Sequence, residues 1–211
     1  VELPGIALED MDAVNKMIQS IIDDSGVNQE ERDKGYPASG TRNVVACPGQ
    51  RLCPFGCYDT TALARKMDKM IFPSHLHVKI AFTGCSNDCG KVRMDDFGFI
   101  GMTEPQYDPD RCVSCEQCIK YCNIRSVGAL SLVNGKVVRD TAKCIGCGVC
   151  VAYCPTRAWT RSKKKYYKLV IMGRTGKKNP RMAGDFLKWA DEESILKMIQ
   201  NTYEYLDKYL D

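Results

Sequence analysis

Thirteen cysteines constrain this 211-residue chain more than any other feature. Twelve of them fall into three sets of four with the short spacings of metal ligands: Cys47, Cys53, Cys85 and Cys89; Cys112, Cys115, Cys118 and Cys122; Cys144, Cys147, Cys150 and Cys154. A secreted disulfide framework is the alternative, but such frameworks usually belong to chains below about 100 residues with an even cysteine count. The pattern therefore predicts metal-binding thiolates and a reducing, cytoplasmic location.

The second and third sets repeat one motif, C-x2-C-x2-C-x3-C, and the second copy ends in Cys154-Pro155. This is the ligand run of bacterial ferredoxins with two [4Fe–4S] clusters, in which the fourth cysteine of each run serves the other cluster. Zinc is the main alternative, but a zinc site uses two cysteine pairs rather than a run of three plus one. Asn123 departs from the pattern, since proline is customary after the fourth cysteine. The spacing assigns one cluster to Cys112, Cys115, Cys118 and Cys154, and the other to Cys144, Cys147, Cys150 and Cys122.

The first set is divided between two loops, Cys47-x5-Cys53 and Cys85-x3-Cys89. Either pair alone is compatible with buried thiols, but together they supply four soft thiolates, the number that a cubane [4Fe–4S] cluster needs. The remaining thiol, Cys57, is interpreted as buried and inert rather than as an alternative ligand. Glycines and prolines flank both pairs and let the backbone turn tightly around an inorganic core: Pro48-Gly49, Pro54, Gly84 and Gly90.

The motif C-x5-C followed by T-G-C-x-N-x-C-G, with Arg42-Asn43-Val44-Val45-Ala46 before it, resembles the sirohaem sulfite and nitrite reductases. The likeness is greatest to the catalytic, ferredoxin-containing subunits of anaerobic sulfite reductases. It implies an α+β fold in which a sirohaem–[4Fe–4S] half-domain at 1–102 and 162–211 carries an inserted two-[4Fe–4S] bacterial ferredoxin domain at 103–161. It also implies that Cys89 bridges the cluster to the sirohaem iron, that Asn87 belongs to the cofactor-binding loop, and that this chain is a fragment without the family's N-terminal lobe.

A basic segment leads into the second cysteine pair. Residues 76–82 alternate as a strand should, with Leu76, Val78, Ile80 and Phe82 on one face and His77 and Lys79 on the other. By position alone, a solvent-facing strand explains His77 and Lys79 as well as an anion site does. The resemblance favours the anion site, because related enzymes hold the oxyanion with a basic pair here, although His77 replaces the usual lysine.

Arg42 is assigned to the same catalytic site because it resembles the family arginine of the R-N-V segment. Pairing with an acidic neighbour is its alternative role.

Residues 173–181 form a second basic segment, a loop with two glycines. It lacks the G-x4-G-K-[S/T] order of a P-loop. The resemblance implies that its cations bind the carboxylates of sirohaem, whose burial demands charge compensation. A surface loop is the alternative. The cations are Arg174, Lys177, Lys178 and Arg181.

Hydrophobic spacing predicts amphipathic helices at 8–24 and 60–71, a closing helix after Asp191 and a buried strand at 166–172. Asn134-Gly135 between apolar runs predicts a hairpin turn. Met67 and Met70 are assigned to core packing rather than to thioether ligation. The repeated cysteine run predicts two ββα-like halves related by a pseudo-twofold axis, with the fourth cysteine at the start of each helix.

Together these features predict a sulfite reductase catalytic subunit. It would reduce sulfite to sulfide in a six-electron reaction at a sirohaem coupled to one [4Fe–4S] cluster and fed by two ferredoxin-type clusters. Electron-donor subunits or a ferredoxin are the expected partners, in a homo- or hetero-oligomer. Two alternatives stay open: a sirohaem nitrite reductase, and a polyferredoxin-like electron-transfer subunit without sirohaem. The formal charge of +4 gives no case for nucleic acid, and no apolar run approaches the about 18 residues of a membrane span.

Overall fold

The computed structural model describes residues 7–24, 44–71, 74, 76, 78–176 and 178–209. In chain order the helices are α1 (Met11–Asp24), α2 (Thr60–Ile71), α3 (Gln117–Arg125), α4 (Val149–Ala152) and α5 (Glu192–Tyr209). The strands are β1 (Val44–Ala46), β2 (Ile80–Thr83), β3 (Phe97–Met102), β4 (Gln106–Tyr107), β5 (Leu130–Val133), β6 (Lys136–Arg139), β7 (Trp159–Thr160), β8 (Tyr166–Ile171) and β9 (Gly184–Ala190). The predicted helices at 8–24 and 60–71, the closing helix and the buried strand at 166–172 are confirmed.

The main sheet has the order β1-β2-β3-β8-β9. Its first three strands are parallel, and β8 and β9 add antiparallel partners at the other side. Because β1 and β2 run side by side in the same direction, their carboxyl ends lie next to each other, and Cys47 and Cys85 follow those ends. The sheet therefore delivers the two cysteine loops of the first set to one edge.

The core lies between the sheet and the helices α2 and α5. Met67 of α2, Phe82 of β2, Phe99 of β3 and Ile195 of α5 are fully buried in one apolar cluster. The rings of Phe82 and Phe99 stack with their centroids 4.9 Å apart. Met67 is thus a core residue, as the helical spacing predicts.

The opposite face of the sheet carries a smaller cluster of buried residues. Ala81, Ile100 and Val170 alternate with the residues of the main core along their strands, and Val92 and Ala183 cover them. Val92 lies in the turn that follows Cys89, and Ala183 ends the segment after the basic loop. This face therefore joins those two segments to the sheet.

The strand predicted at 76–82 is shorter and begins later than the alternation indicates. Val78 and Lys79 precede β2, although Leu76 and Val78 do face the main core. The amide N–H of Lys79 donates to Oδ2 of Asp96 at 2.9 Å, and that of Val78 donates to the carbonyl of Leu76 at 3.1 Å. The amides of Val78 and Lys79 thus bond to a local carbonyl and to a carboxylate rather than to a neighbouring strand, while the Lys79 carbonyl accepts from the Phe97 amide at 3.0 Å where the ladder begins. Residue His77 lies outside the described residues.

The cysteine runs lie in a segment with its own pairs of strands. Strands β4 and β7 pair at the start and the end of this segment. Strands β5 and β6 form the predicted hairpin, with Asn134 and Gly135 at φ 49° and 73°. The order in each half is strand–helix–strand, not ββα, because a strand precedes each cysteine loop. The helices begin beside the third cysteine of each run, Cys118 and Cys150, rather than at the fourth.

Within the described part of the chain, no helix has the length and apolar character needed to cross a membrane.

We expect Met67→Ala to lower the free energy of unfolding by about 2–5 kcal/mol, because it opens a cavity in the main core. Met17→Ala is the matched control: Met17 is 79 % exposed on α1, and its loss should change that free energy by no more than about 0.5 kcal/mol. Anaerobic urea unfolding of both variants measures the difference. Equal effects of the two substitutions would show that Met67 is not a core residue.

Candidate metal centres

The first cysteine set is built on the adjacent ends of β1 and β2. The amide of Cys47 donates to the carbonyl of Phe82 at 3.0 Å, which extends the parallel pairing to the cysteine itself. The amide of Gly84 in turn donates to Sγ of Cys47 at 3.1 Å. A backbone N–H directed at sulfur stabilises a thiolate, so the loop is prepared for a metal-bound cysteine.

Glycines allow the loops of the first set to approach each other closely. A Cβ added to Gly84 would lie 3.2 Å from the Cα atoms of both Gly49 and Gly56, and 3.7 Å from Sγ of Cys47. Gly49 also has φ +55° and faces Thr60, whose hydroxyl donates to the carbonyl of Cys47. Side chains at these glycines would separate the two loops, and with them the two cysteine pairs.

Three thiols of the first set lie close enough to the fourth, Cys85, to affect its pKa. Burial raises the pKa of Cys85, and the thiols of Cys53, Cys89 and Cys47 raise it further, against the lowering effect of the Asn87 amide. Cys85 is buried and Cys89 is exposed. The set therefore begins inside the protein and reaches its surface at Cys89.

Two pockets collect the cysteines of the repeated runs. One is lined by Cys112, Cys115, Cys118 and Cys154. The other is lined by Cys122, Cys144, Cys147 and Cys150. In each pocket the fourth cysteine of one run joins the first three of the other, which is the grouping that the spacing predicts.

The two cysteine loops repeat the same backbone conformation. Ser114 and Glu116 have φ 52° and 55°, and the equivalent Gly146 and Gly148 have φ 68° and 72°. Left-handed residues at such positions are typical of anion-binding nests, in which neighbouring amides point at one enclosed group. Only the second loop uses glycine there, because Cβ atoms would meet neighbouring segments: 2.8 Å from the Trp189 ring at Gly146, and 3.2 Å from the Thr103 methyl at Gly148.

Polar groups that sequence reasoning missed face these sulfurs. Ser126 Oγ lies 3.2 Å from Sγ of Cys147, and the amide of Ala129 donates to Sγ of Cys122 at 3.2 Å. The indole N–H of Trp159 is buried without an acceptor of ordinary geometry among the described residues. It lowers the pKa of Cys118, against the larger raising effect of burial. Donors around each pocket fit thiolates that bear the charge of a metal cluster.

Among the described residues, no group of three or more His, Cys, Asp or Glu side chains converges closely enough to hold a single metal ion. Four-cysteine pockets are compatible with this finding, because a cubane cluster spreads its ligands around a core of several atoms.

The thirteenth cysteine lies between two of the sets. Burial raises the pKa of Cys57 to about 11, against the lowering effect of Arg161, while Cys85 and Cys147 add to the increase. Cys57 is therefore a protonated thiol at neutral pH. The thiols near Cys57 are Cys85, from the first set, and Cys147, from the third set.

The basic loop lies against the turn that follows Cys89. Arg174 and Arg181 pair through their main chains, with N···O distances of 2.8 and 2.7 Å, and Nε of Arg181 donates to the carbonyl of Met172 at 2.8 Å. The amide of Ala183 donates to the carbonyl of Arg93 at 2.8 Å. Arg174, Lys178 and Arg181 are exposed, and Lys177 lies outside the described residues.

Asp185 of β9 anchors the same turn. It accepts a hydrogen bond from Arg93 at 2.6 Å and one from Lys168 at 3.2 Å. Burial acts to raise the pKa of Asp185, but these two cations outweigh it and hold that pKa below its usual range. The ion pair between Arg93 and Asp185 fixes the turn after Cys89 to β9, at the edge of the sheet.

Of the predicted catalytic residues, Lys79 alone belongs to the described part, because Arg42 and His77 lie outside it. Lys79 is exposed and lies directly before the first residue of β2. Burial raises the pKa of nearby Asp95, and Lys79 lowers it. The Lys79 ammonium is therefore partly balanced by a carboxylate, with Asp96 beside it.

Comparisons with known proteins agree on one family. The family model described as nitrite and sulphite reductase 4Fe-4S domain matches residues 38–210. One of the subunits of the anaerobic sulfite reductase of Salmonella typhimurium is 43% identical over 208 residues, which are 96% of this chain and 62% of that protein. The chain thus spans about three fifths of the length of that curated relative.

Two solved structures share the fold at low sequence identity. Dissimilatory sulfite reductase I (DsrI) is 18% identical, with a TM-score of 0.61 over 79% of this chain and 47% of its own. The Mycobacterium tuberculosis NirA protein is 12% identical, with a TM-score of 0.54 over 98% of this chain and 28% of its own. The mixed α/β arrangement is therefore that of these proteins.

Exchange of the fourth cysteines between the runs can be tested by paired substitutions. We expect Cys118→Ala/Cys154→Ala to lose one cluster, about four iron atoms per chain, because both thiols line one pocket. Cys118→Ala/Cys122→Ala should lose two clusters, about eight iron atoms. Iron analysis of anaerobically purified protein measures both. The reverse order of losses would mean that each run serves its own cluster.

Proposed function

The chain belongs to the nitrite and sulphite reductase 4Fe-4S domain family, and from that premise we propose that it is the cluster- and sirohaem-binding part of a sulfite reductase catalytic subunit. The proposed reaction is the six-electron reduction of sulfite to sulfide. Because the chain spans 62% of its Salmonella relative, the activity is proposed for the whole protein of which this sequence is a part.

One observation carries the proposal: Cys47 and Cys85 follow the adjacent ends of β1 and β2, and the thiols of Cys53, Cys89 and Cys47 lie near enough to Cys85 to raise its pKa. Burial at one end of the set and exposure at the other suit a cluster that has to reach a second cofactor. Cys47, Cys53, Cys85 and Cys89 would hold a [4Fe–4S] cluster, and the exposed Cys89 would be shared with the sirohaem iron. A carrier of single electrons has no need of an exposed ligand flanked by a basic loop.

We further propose an inserted ferredoxin-type domain at 103–161 within a sirohaem–[4Fe–4S] domain at 1–102 and 162–211. Three features support these bounds. The cysteine runs have their own apolar core around Cys118, Leu130 and Trp159. The chain ends of the insertion meet where the amide of Ser162 donates to the hydroxyl of Thr103 at 3.2 Å. Beyond them, β4 and β7 pair. With the first set, the two pockets would bring the count of [4Fe–4S] clusters to three.

The basic loop fits the carboxylates of sirohaem. Arg174, Lys177, Lys178 and Arg181 would pair with them, since buried carboxylates require cations. Main-chain hydrogen bonds from Gly173 and Ala183 hold this loop against Asp95 and Arg93, in the turn that follows Cys89 in the chain. When bound, sirohaem would supply the iron at which sulfite is reduced.

Lys79, with Arg42 and His77, would bind the sulfite oxygens. A cation close to the oxyanion offsets its negative charge, and the Lys79 ammonium can donate a proton to an oxygen that leaves as water. The negative charges of Asp95 and Asp96 close to Lys79 would favour its return to the ammonium form, with a proton taken up from solvent, after each transfer.

The proposed partners are electron-donor subunits or a ferredoxin, because the similar Salmonella protein is named as a subunit. Twelve reduced thiolates fit a reducing compartment such as the cytoplasm.

Cys89→Ala tests the proposal in the whole protein. We expect loss of the visible bands of sirohaem and a fall of about 100-fold or more in sulfite-dependent oxidation of reduced methyl viologen. Ser86→Ala is the matched control, because Ser86 is an exposed residue of the same loop. Iron at the level of three clusters without sirohaem bands in the unaltered protein would make the chain an electron carrier and overturn the reductase proposal.

Lys79→Ala tests the anion site separately. We expect turnover of sulfite to fall about 100-fold while the sirohaem bands and the iron content stay unchanged. Lys69→Ala on α2, an exposed lysine of the same chain region, should leave turnover unaltered. Equal rates for the Lys79 and Lys69 variants would remove Lys79 from the substrate site.

A further inference from the structure

The loop after Cys53 is the place where the two cysteine-bearing parts of the chain touch. It supplies Phe55, whose ring centroid lies 6.1 Å from that of Tyr153. It also supplies Cys57: a Cβ added to Gly148 would lie 3.9 Å from Cys57 Sγ. Tyr153 and Gly148 belong to the run from Cys144 to Cys154, which is the third cysteine set. The first set therefore adjoins this run directly.

The loop from Cys144 to Cys150 faces inward, and the equivalent loop from Cys112 to Cys118 faces outward. The amide of Thr103, which follows β3, donates to the carbonyl of Gly146 at 2.8 Å. In the other loop Val113 is 64 % exposed and Cys115 is exposed. The pocket of Cys122, Cys144, Cys147 and Cys150 is thus the inner pocket, and that of Cys112, Cys115, Cys118 and Cys154 is the outer pocket.

Arg161 places a positive charge at this contact. One of its Nη atoms donates to the carbonyl of Pro54 at 2.5 Å. Its Nε is buried without an acceptor of ordinary geometry among the described residues, and a Cβ added to Gly148 would lie 3.9 Å from it. No carboxylate of the described part pairs with Arg161.

The groups around Arg161 show which cysteines it is near. Its charge acts on Cys57, and the thiols that act on Cys57 are Cys85 of the first set and Cys147 of the inner pocket. The outer pocket contributes no such neighbour in the described chain. The guanidinium therefore lies between the first set and the inner pocket.

A fixed cation has a defined effect on a redox group. An electron added to a cluster gives it one more negative charge, which a nearby cation stabilises. Partial burial strengthens this effect, because less water screens the charge, and the effect falls with distance. The reduction potential of a cluster depends on such charges and on hydrogen bonds near its sulfurs.

We propose that Arg161 sets the direction of electron transfer through its charge. That charge raises the reduction potentials of the inner-pocket cluster and of the first-set cluster but not that of the outer-pocket cluster. This inference rests on the proposed function, because it presupposes the three clusters. Electrons from a one-electron donor would then enter at the exposed outer pocket and move inward one at a time. Each transfer would oxidise the outer-pocket cluster by one electron and reduce the inner-pocket cluster by one electron.

Potentiometric titration of the whole protein, followed by EPR, measures the potential of each cluster. Arg161→Gln and Arg161→Met both remove the charge, and the second keeps part of the aliphatic stem. We expect two of the three potentials to shift in the negative direction in both variants. Arg161→Lys keeps the charge and should shift them less. The unshifted signal should be the one that is missing from the Cys118→Ala/Cys154→Ala protein.

Lys208→Gln is the control for loss of one positive charge, since Lys208 is exposed in the last turn of α5, and it should shift no potential. Iron content and far-UV circular dichroism confirm that each variant is folded and loaded. Unchanged potentials in loaded Gln and Met variants, or equal shifts of all three, would overturn the inference and leave the proposed function intact. If the unaltered protein lacked the three cluster signals, both would fall together.

Discussion

The parallel pairing of β1 with β2 brings together the two cysteine loops of the first set. It continues past the strands, where the amide of Cys47 bonds to Phe82 and the amide of Gly84 bonds to the Cys47 sulfur. Two cysteine pairs far apart in sequence thereby meet at one edge of the sheet. The core of α2 and α5 fixes the strands, and the packed glycines at 49, 56 and 84 leave room for nothing larger between the loops.

The segment that carries the repeated cysteine runs packs near the same edge of the sheet. The Cys144 to Cys150 loop packs on Thr103 at the end of β3 and on Cys57, and glycine at 146 and 148 permits that close approach. The matching loop at 112–118 has the same left-handed positions at Ser114 and Glu116 without glycine, and it is more exposed, since Val113 is 64 % exposed. An internal repeat in sequence has thus become asymmetric in its surroundings, with one pocket toward the sheet and one toward solvent.

Local signals in the sequence predicted the features that depend on nearby residues. The helix at 60–71, the turn at Asn134-Gly135 and the grouping of cysteines in the runs follow from spacing alone. Strand β9 was missed because its residues 184–190 are mostly exposed and carry no clear alternation. The late start of β2 depends on Asp96, 17 residues from Lys79. The place of Arg161 depends on Pro54, 107 residues away, and no local pattern can reveal such contacts.

The proposed function requires that Cys47, Cys53, Cys85 and Cys89 close around one iron–sulfur cluster at the ends of β1 and β2. Anomalous diffraction at the iron edge from anaerobically grown crystals tests it most directly. We expect a compact iron peak within reach of all four sulfurs, beside separate peaks in the two pockets of the cysteine runs. Iron in those two pockets with none among the four sulfurs of the first set would contradict it.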